Sequence, residues 1–243
     1  MLRSVHYTYT NQRGLFELSL AVNQGEVCGI LGANGAGKST AFKLIAGLLK
    51  PQRGQIFLSG QDVTHQPLWK RARQGLGYLS QEGALFDQLT VIENIKAAQL
   101  APKDKVYQQG MHDDSAPDIM EIMRYLGILD LSNTKVAVLS GGERRRVELA
   151  RLIALKPKVV LLDEPFAALD PHTISAMRNV IFMLKKRRVA VLLTDHQVYQ
   201  AMPLCDRVYL LHEGKLVVEG SPQDVQKDQN AQILYLGVPE ASS

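Results

Sequence analysis

The chain has 243 residues, 46% hydrophobic and 21% charged, which is enough apolar material for a sizeable core and excludes a disordered segment or a fibrous repeat. Its longest apolar runs, such as VVLL at 159–162 and VAVLL at 189–193, fall far short of the roughly 20 residues a membrane-spanning helix needs. The opening MLRSVHYTYTNQRG also lacks a signal-peptide core, so a cytoplasmic protein is expected; a net charge of +4 permits contact with a membrane surface or nucleic acid without requiring either.

Residues 15–22 (LFELSLAV) alternate as a half-exposed strand does, and 26–31 (EVCGIL) form a short apolar run suited to a buried strand. A glycine-rich turn follows, then a helix from about residue 38 that Gly47 and Pro51 end. GQIFLSG (54–60) predicts a strand bounded by glycines, and GLGYLSQ is strand-like up to Gln81. From 82 to 156 the chain turns mostly helical around a polar stretch, 101–118, that reads as loop. After Pro157 strands return at 158–163 and 189–194 with a helix between them; 207–218 predicts a hairpin about Glu213-Gly214, and 221–236 a helix. Strand–helix alternation on both sides of a helical block implies an α/β core with an inserted helical subdomain. The basic clusters Lys70-Arg71-x-Arg73, Arg144–Arg146 and Lys185–Arg188 are expected mostly on solvated helix faces and ends. Arg144 and Glu148, and Glu148 and Arg151, are spaced as helix ion pairs. Cys28 and Cys205 have neither a CxxC partner nor metal spacing and read as reduced thiols.

Three stretches carry chemistry. Gly32-Ala33-Asn34-Gly35-Ala36-Gly37-Lys38-Ser39 matches GxxxxGK[ST], with Thr40 next to it, and stands between an apolar strand and a helix. Glycines let backbone N–H groups curl around phosphates, Lys38 would reach the β and γ phosphates, and Ser39 would put its hydroxyl on Mg²⁺. VVLLDE (159–164) is a buried strand ending in two acids, of which Asp163 would hold Mg²⁺ and Glu164 would polarise an attacking water. LSGGERRRVELAR (139–151) opens a helix: Ser140-x-x-Glu143 is a capping box, yet it encloses Gly141 and Gly142, each costing up to about 1 kcal/mol against alanine inside a helix. Such a pair points to something that must approach that backbone closely. Gln81 and His196 each follow a strand at the edge where α/β sheets bind ligands, a weak signal for either alone.

The ordered set of P-loop, Gln81, LSGGE, VVLLDEP, Ala168-Leu169-Asp170 and His196 resembles the ATP-binding cassette (ABC) ATPase family over essentially the whole chain. The resemblance implies a P-loop NTPase core (about 1–81 and 157–220) with an N-terminal antiparallel β-subdomain. It also implies a helical subdomain over about 82–156 and a C-terminal helical tail over 221–243. It further implies ATP and Mg²⁺ as ligands and a head-to-tail homodimer in which Ser140, Gly141 and Gly142 of one chain face the γ-phosphate held by the other. Tyr9 would stack on adenine, Gln81 would link Mg²⁺ and water to the partner subunits, His196 would contact the γ-phosphate, and Asp170 would lie at the dimer seam. Glu143 stands where most of the family has glutamine.

Within the family, PLWKRARQGLGYLSQE, LSGGERRRVELAR, LLDEPFAALDP, LLTDHQV and the tail VQKDQNAQILYLG resemble the ATPase subunits of bacterial lipopolysaccharide exporters. The ATPases of branched-chain amino acid importers are the alternative. The exporter branch implies two transmembrane permease subunits engaging a groove near Gln81 to Phe86, placement on the cytoplasmic face of the inner membrane, and no nucleic-acid partner. Asp87-Gln88 stand where that branch would carry basic residues. A soluble, non-transport ABC ATPase is the third reading; ribosome-associated types usually carry two cassettes, and this chain carries one.

Overall fold

The computed structural model describes residues 1–81, 83–104, 118–167, 169–196 and 198–236. Its strands are β1 (Leu2–Thr8), β2 (Gly14–Leu20), β3 (Val27–Leu31), β4 (Arg53–Leu58), β5 (Gln61–Asp62), β6 (Leu76–Leu79), β7 (Val159–Asp163), β8 (Ala190–Asp195), β9 (Arg207–His212) and β10 (Lys215–Gly220). The six-stranded sheet runs β10-β9-β3-β8-β7-β6, parallel except for β10 at its edge, and a four-stranded antiparallel sheet runs β2-β1-β4-β5. All five residues of β3 and all six of β8 are buried, as strands covered on both faces must be.

The two faces have separate cores. Cys28, Ile30, Leu161 and Leu192 pack towards α1 (Lys38–Ala46) and the small sheet. Val27, Leu31, Val160, Leu162, Val191 and Leu193 pack with the helical segments. After α2 (Leu68–Arg73), those segments are α3 (Val91–Gln99), α4 (Ile119–Tyr125), α5 (Gly141–Ala154) and α6 (Pro171–Lys186). The same buried cluster holds Ile95, Met123 and Val147 of the inserted helices and Val180 of α6, so the insertion is continuous with the core on that face.

Several expectations are corrected. β1 has no counterpart in the sequence reading, because its apolar positions do not alternate. Leu2 and Val5 are both buried although three apart, with a register shift between them and Ser4 at φ +46°. The predicted 15–22 strand is Gly14–Leu20, and Glu17 at φ +56° likewise sets Leu15 and Leu18 inward together. The predicted helix over 221–236 breaks at Asp228, whose ψ is 131°, leaving a short α-helix (Pro222–Lys227) before two further turns. Most of the polar 101–118 stretch lies outside the described residues.

The basic clusters are not uniformly solvated. Arg71 is only 1% exposed. Its guanidinium donates to the carbonyls of Leu44 (2.6 Å), Ile45 (2.7 Å), Gln66 (2.9 Å) and Thr64 (3.2 Å). The first two belong to the last turn of α1, whose free carbonyls carry the negative end of the helix dipole. Arg145 is also buried, and the expected Arg144–Glu148 pair is replaced: Glu148 takes Arg145 at 2.9 Å, while Arg144 reaches Asp87 at 2.8 Å. That contact gives the acid at 87 a local partner.

Candidate active site

The chain between β3 and α1 turns tightly enough that Gly35 and Gly37 sit at φ +83° and +103°. Lys38, 5% exposed, folds its ammonium back onto the carbonyls of Gly32 (2.8 Å) and Ala33 (3.0 Å). Burial lowers its pKa, and the carboxylates of Glu164, Asp195 and Asp163 oppose that shift, so the acids at the neighbouring strand ends act on this amine. A cavity of about 390 Å³ opens over the loop. Asn34, Gly35, Gly37, Lys38, Ser39 and Thr40 line one side of it, with Tyr9, Asn11, Arg13 and Gly14 from the β1–β2 turn and Glu164 opposite. Tyr9 is 37% exposed and packs edge-on against Tyr7, which leaves an aromatic face at the cavity rim.

Asp163 and Glu164 follow from the end of β7 but have different surroundings. The Asp163 carboxylate is buried and accepts hydrogen bonds from Thr194 Oγ1 (2.6 Å) and Tyr78 Oη (3.3 Å). Glu164 stands at φ +43°, an unfavourable conformation for a non-glycine residue, and its N–H is held by the carbonyl (3.1 Å) and hydroxyl (3.2 Å) of Thr194. His196 Nδ1 lies 3.5 Å from Glu164 Oε2 and 3.8 Å from Asp195 Oδ1. Thr194 and Tyr78, which set the first acid and the backbone of the second, were not singled out from the sequence. Their only signal was that they sit on strands flanking the acid-bearing one.

The cavity-lining residues do not include Gln81, Ser140, Gly141, Gly142 or Asp170. Gln81 is exposed just beyond β6. The chain on either side of it is tied to α5 and α3: Arg145 donates to the Ser80 carbonyl at 3.0 Å, Arg151 to the Ala84 carbonyl, and buried Asn94 grips both the N–H and the carbonyl of Phe86. Phe86 itself is 52% exposed beneath the Arg151 guanidinium, while Leu85 packs on the core.

At the start of α5 the capping box is complete. Glu143 Oε2 accepts from the Ser140 N–H at 2.8 Å, and the Glu143 N–H donates to Ser140 Oγ at 3.4 Å. The two glycines inside it are not equivalent. A Cβ on Gly142 would stand 2.7 Å from Asp170 Oδ2 and 3.0 Å from Thr173 Oγ1, so those side chains at the start of α6 would have to shift. A Cβ on Gly141 would meet no atom of the described residues within 4 Å. No contact among the described residues therefore explains Gly141. Asp170 caps α6 through the Thr173 N–H (3.0 Å) and hydroxyl (2.6 Å), and these bonds hold its carboxyl below the usual range.

A glycine-rich loop between β3 and α1, acids at the adjoining strand end and a helical insertion whose last helix opens with LSGGE define an ATP-binding cassette. The chain belongs to the ABC transporter family, whose model matches residues 15–167, and is an ATP-binding, ATP-hydrolysing subunit of that family. It is similar to the lipopolysaccharide export system ATP-binding protein LptB of Acidithiobacillus ferridurans, at 41% identity over 97% of this chain and 95% of that protein. It is 40% identical to the LptB of Haemophilus influenzae, over 95% of this chain and 93% of that one. Among solved structures, an ATP-binding subunit of an ABC transporter superposes with a TM-score of 0.81 at 27% identity, covering 97% of both chains.

Proposed function

We propose that the chain is the ATPase of a lipopolysaccharide exporter and that two copies close head to tail around two ATP molecules. Gly141 carries the dimer. It sits exposed at the N-terminus of a 14-residue helix where a Cβ would meet none of the described residues within 4 Å, and glycine there admits a γ-phosphate held by a second copy. Near-full-length identity of about 40% to two export ATPases supports the cargo.

In this reading Tyr9 stacks on adenine. The backbone of Gly32, Ala33, Asn34, Gly35, Ala36, Gly37 and Ser39, with Thr40, surrounds the phosphates. Lys38 exchanges its two loop carbonyls for β and γ oxygens. Ser39, Gln81 and Asp163 are hard oxygen donors that fit Mg²⁺, and the buried Asp163 carboxylate is already oriented by Thr194 and Tyr78. A Mg²⁺ ion there would draw charge from the phosphate oxygens. Glu164 orients a water for in-line attack on the γ-phosphorus; the bond to the β–γ bridging oxygen breaks, leaving ADP and phosphate. His196, beside Glu164, meets the γ-phosphate. Ser140, Gly141 and Gly142 of the second copy cover it, and Asp170 lies at the seam. The helical segment 82–156 is a separate subdomain on the core formed by 1–81 and 157–220. Exposed Phe86, on its anchored loop near Gln81, receives two transmembrane subunits on the cytoplasmic face of the inner membrane. No helix among the described residues is long and apolar enough to cross a membrane, which suits a peripheral subunit.

Gly141→Leu separates dimer chemistry from folding. Thermal stability and ATP binding to one chain should stay near wild type, while ATPase activity falls by at least about 10-fold, the loss of one close transition-state contact. Near-normal hydrolysis would remove the role given to Gly141. For the cargo, the tagged protein should be recovered from detergent-solubilised membranes with two membrane proteins bearing large periplasmic domains. Two permeases with a periplasmic amino-acid-binding protein would favour the importer branch, and ribosomes or nucleic acid without membrane partners would end the transport reading.

A further inference from the structure

The outer side of the P-loop is braced by two elements that the nucleotide chemistry does not use. The first is the β9–β10 turn. The Gly214 N–H donates to the Ala36 carbonyl at 3.0 Å, and the Leu211 carbonyl lies so close to Gly32 that a Cβ there would stand 2.4 Å from its oxygen. The second is the C-terminal tail. Tyr235 donates its hydroxyl to that same Leu211 carbonyl at 2.5 Å. The hydroxyl also stands 3.2 Å from His212 Nδ1. The Tyr235 and His212 rings meet edge-on at 6.1 Å, and the tail is anchored just upstream by Ala231, which is fully buried.

We propose that Tyr235 is a positioning residue for ATP binding: its hydroxyl fixes the Leu211 carbonyl, which abuts Gly32, so the tail holds the P-loop in its phosphate-ready shape. A loop ordered before binding loses less freedom when phosphate arrives, so the brace acts on affinity rather than on the chemical step. Linkage makes the effect reciprocal: a tail that favours ATP must itself be held more firmly when ATP is bound. This inference rests on the P-loop holding ATP, as proposed above.

The test uses the full chain carrying Tyr235→Phe, which keeps the ring and removes the hydroxyl. Ile233→Ser, at a half-exposed tail position, is the control. Losing the hydrogen bond to the Leu211 carbonyl predicts a KM for ATP raised about 3- to 10-fold with kcat within about 2-fold of wild type. Melting temperature is recorded alongside, and the control should leave KM unchanged. In parallel, ATP should slow tryptic release of the tail after exposed Lys227 in the wild type, and Tyr235→Phe should lose that protection. A variant with wild-type KM and intact ATP protection overturns the inference, as does a lower melting temperature without a KM change. Absence of ATP binding by the wild type would instead overturn the reading of the P-loop. If Tyr235→Phe fails to fold, wild-type tail cleavage decides: identical rates with and without ATP overturn the proposal.

Discussion

Glu164→Gln should lower steady-state ATP hydrolysis by about 10³-fold while leaving ATP binding and melting temperature near wild type. A positioned general base is worth about 10² to 10⁴ in rate, and the amide keeps the side chain's size while losing its ability to take charge from water. The backbone that presents the side chain is unaffected, because its N–H is held by the carbonyl and hydroxyl of Thr194 rather than by the carboxylate. Phosphate release measured under saturating ATP checks the rate, and a decrease of less than about 10-fold would place the base elsewhere. Asp195 is one such acid, 3.8 Å from His196 Nδ1.

Arg71→Met should destabilise the fold by about 3 kcal/mol, lowering the melting temperature by roughly 10 °C. The guanidinium is almost fully buried and satisfies four backbone carbonyls, two of them closing α1. Burial lowers its pKa to about 10, which still leaves it charged at neutral pH. Methionine fills part of the space but offers no donors, so the Leu44 and Ile45 carbonyls lose their cation in a site water cannot readily enter. Because α1 begins at Lys38, to which the proposed mechanism gives the phosphates, the loss should extend to nucleotide binding. Thermal unfolding by circular dichroism measures it; a shift under 2 °C would mean that the buried cation contributes little.

The family was legible because its motifs, the P-loop, VVLLDE and LSGGE, are short runs of consecutive residues. Contacts between residues distant in the chain were not legible. Tyr78 reaches Asp163 across 85 positions and Thr194 across 31, and nothing local to either marks that contact. Arg71 looked like one of a run of surface cations, and only the end of α1 packed against it makes it a core residue. β1 escaped notice because a bulge at Ser4 breaks the two-residue period that reveals strands. Most instructive are the two glycines of the signature, alike in sequence. Gly142 packs against Asp170, while no contact among the described residues accounts for Gly141. The sequence marks both glycines as unusual for a helix start, but not that one faces inward and the other out.

In the proposed closed state ATP joins two copies of this chain. Light scattering on purified Glu164→Gln protein, with and without ATP and Mg²⁺, tests this, since a chain that binds but does not hydrolyse should accumulate in that state. Closure around ATP predicts a shift from the 26.9 kDa of one chain to twice that mass, abolished by Gly141→Leu in the same background. A mass that stays at one chain while bound ATP is demonstrated on the same sample would contradict it.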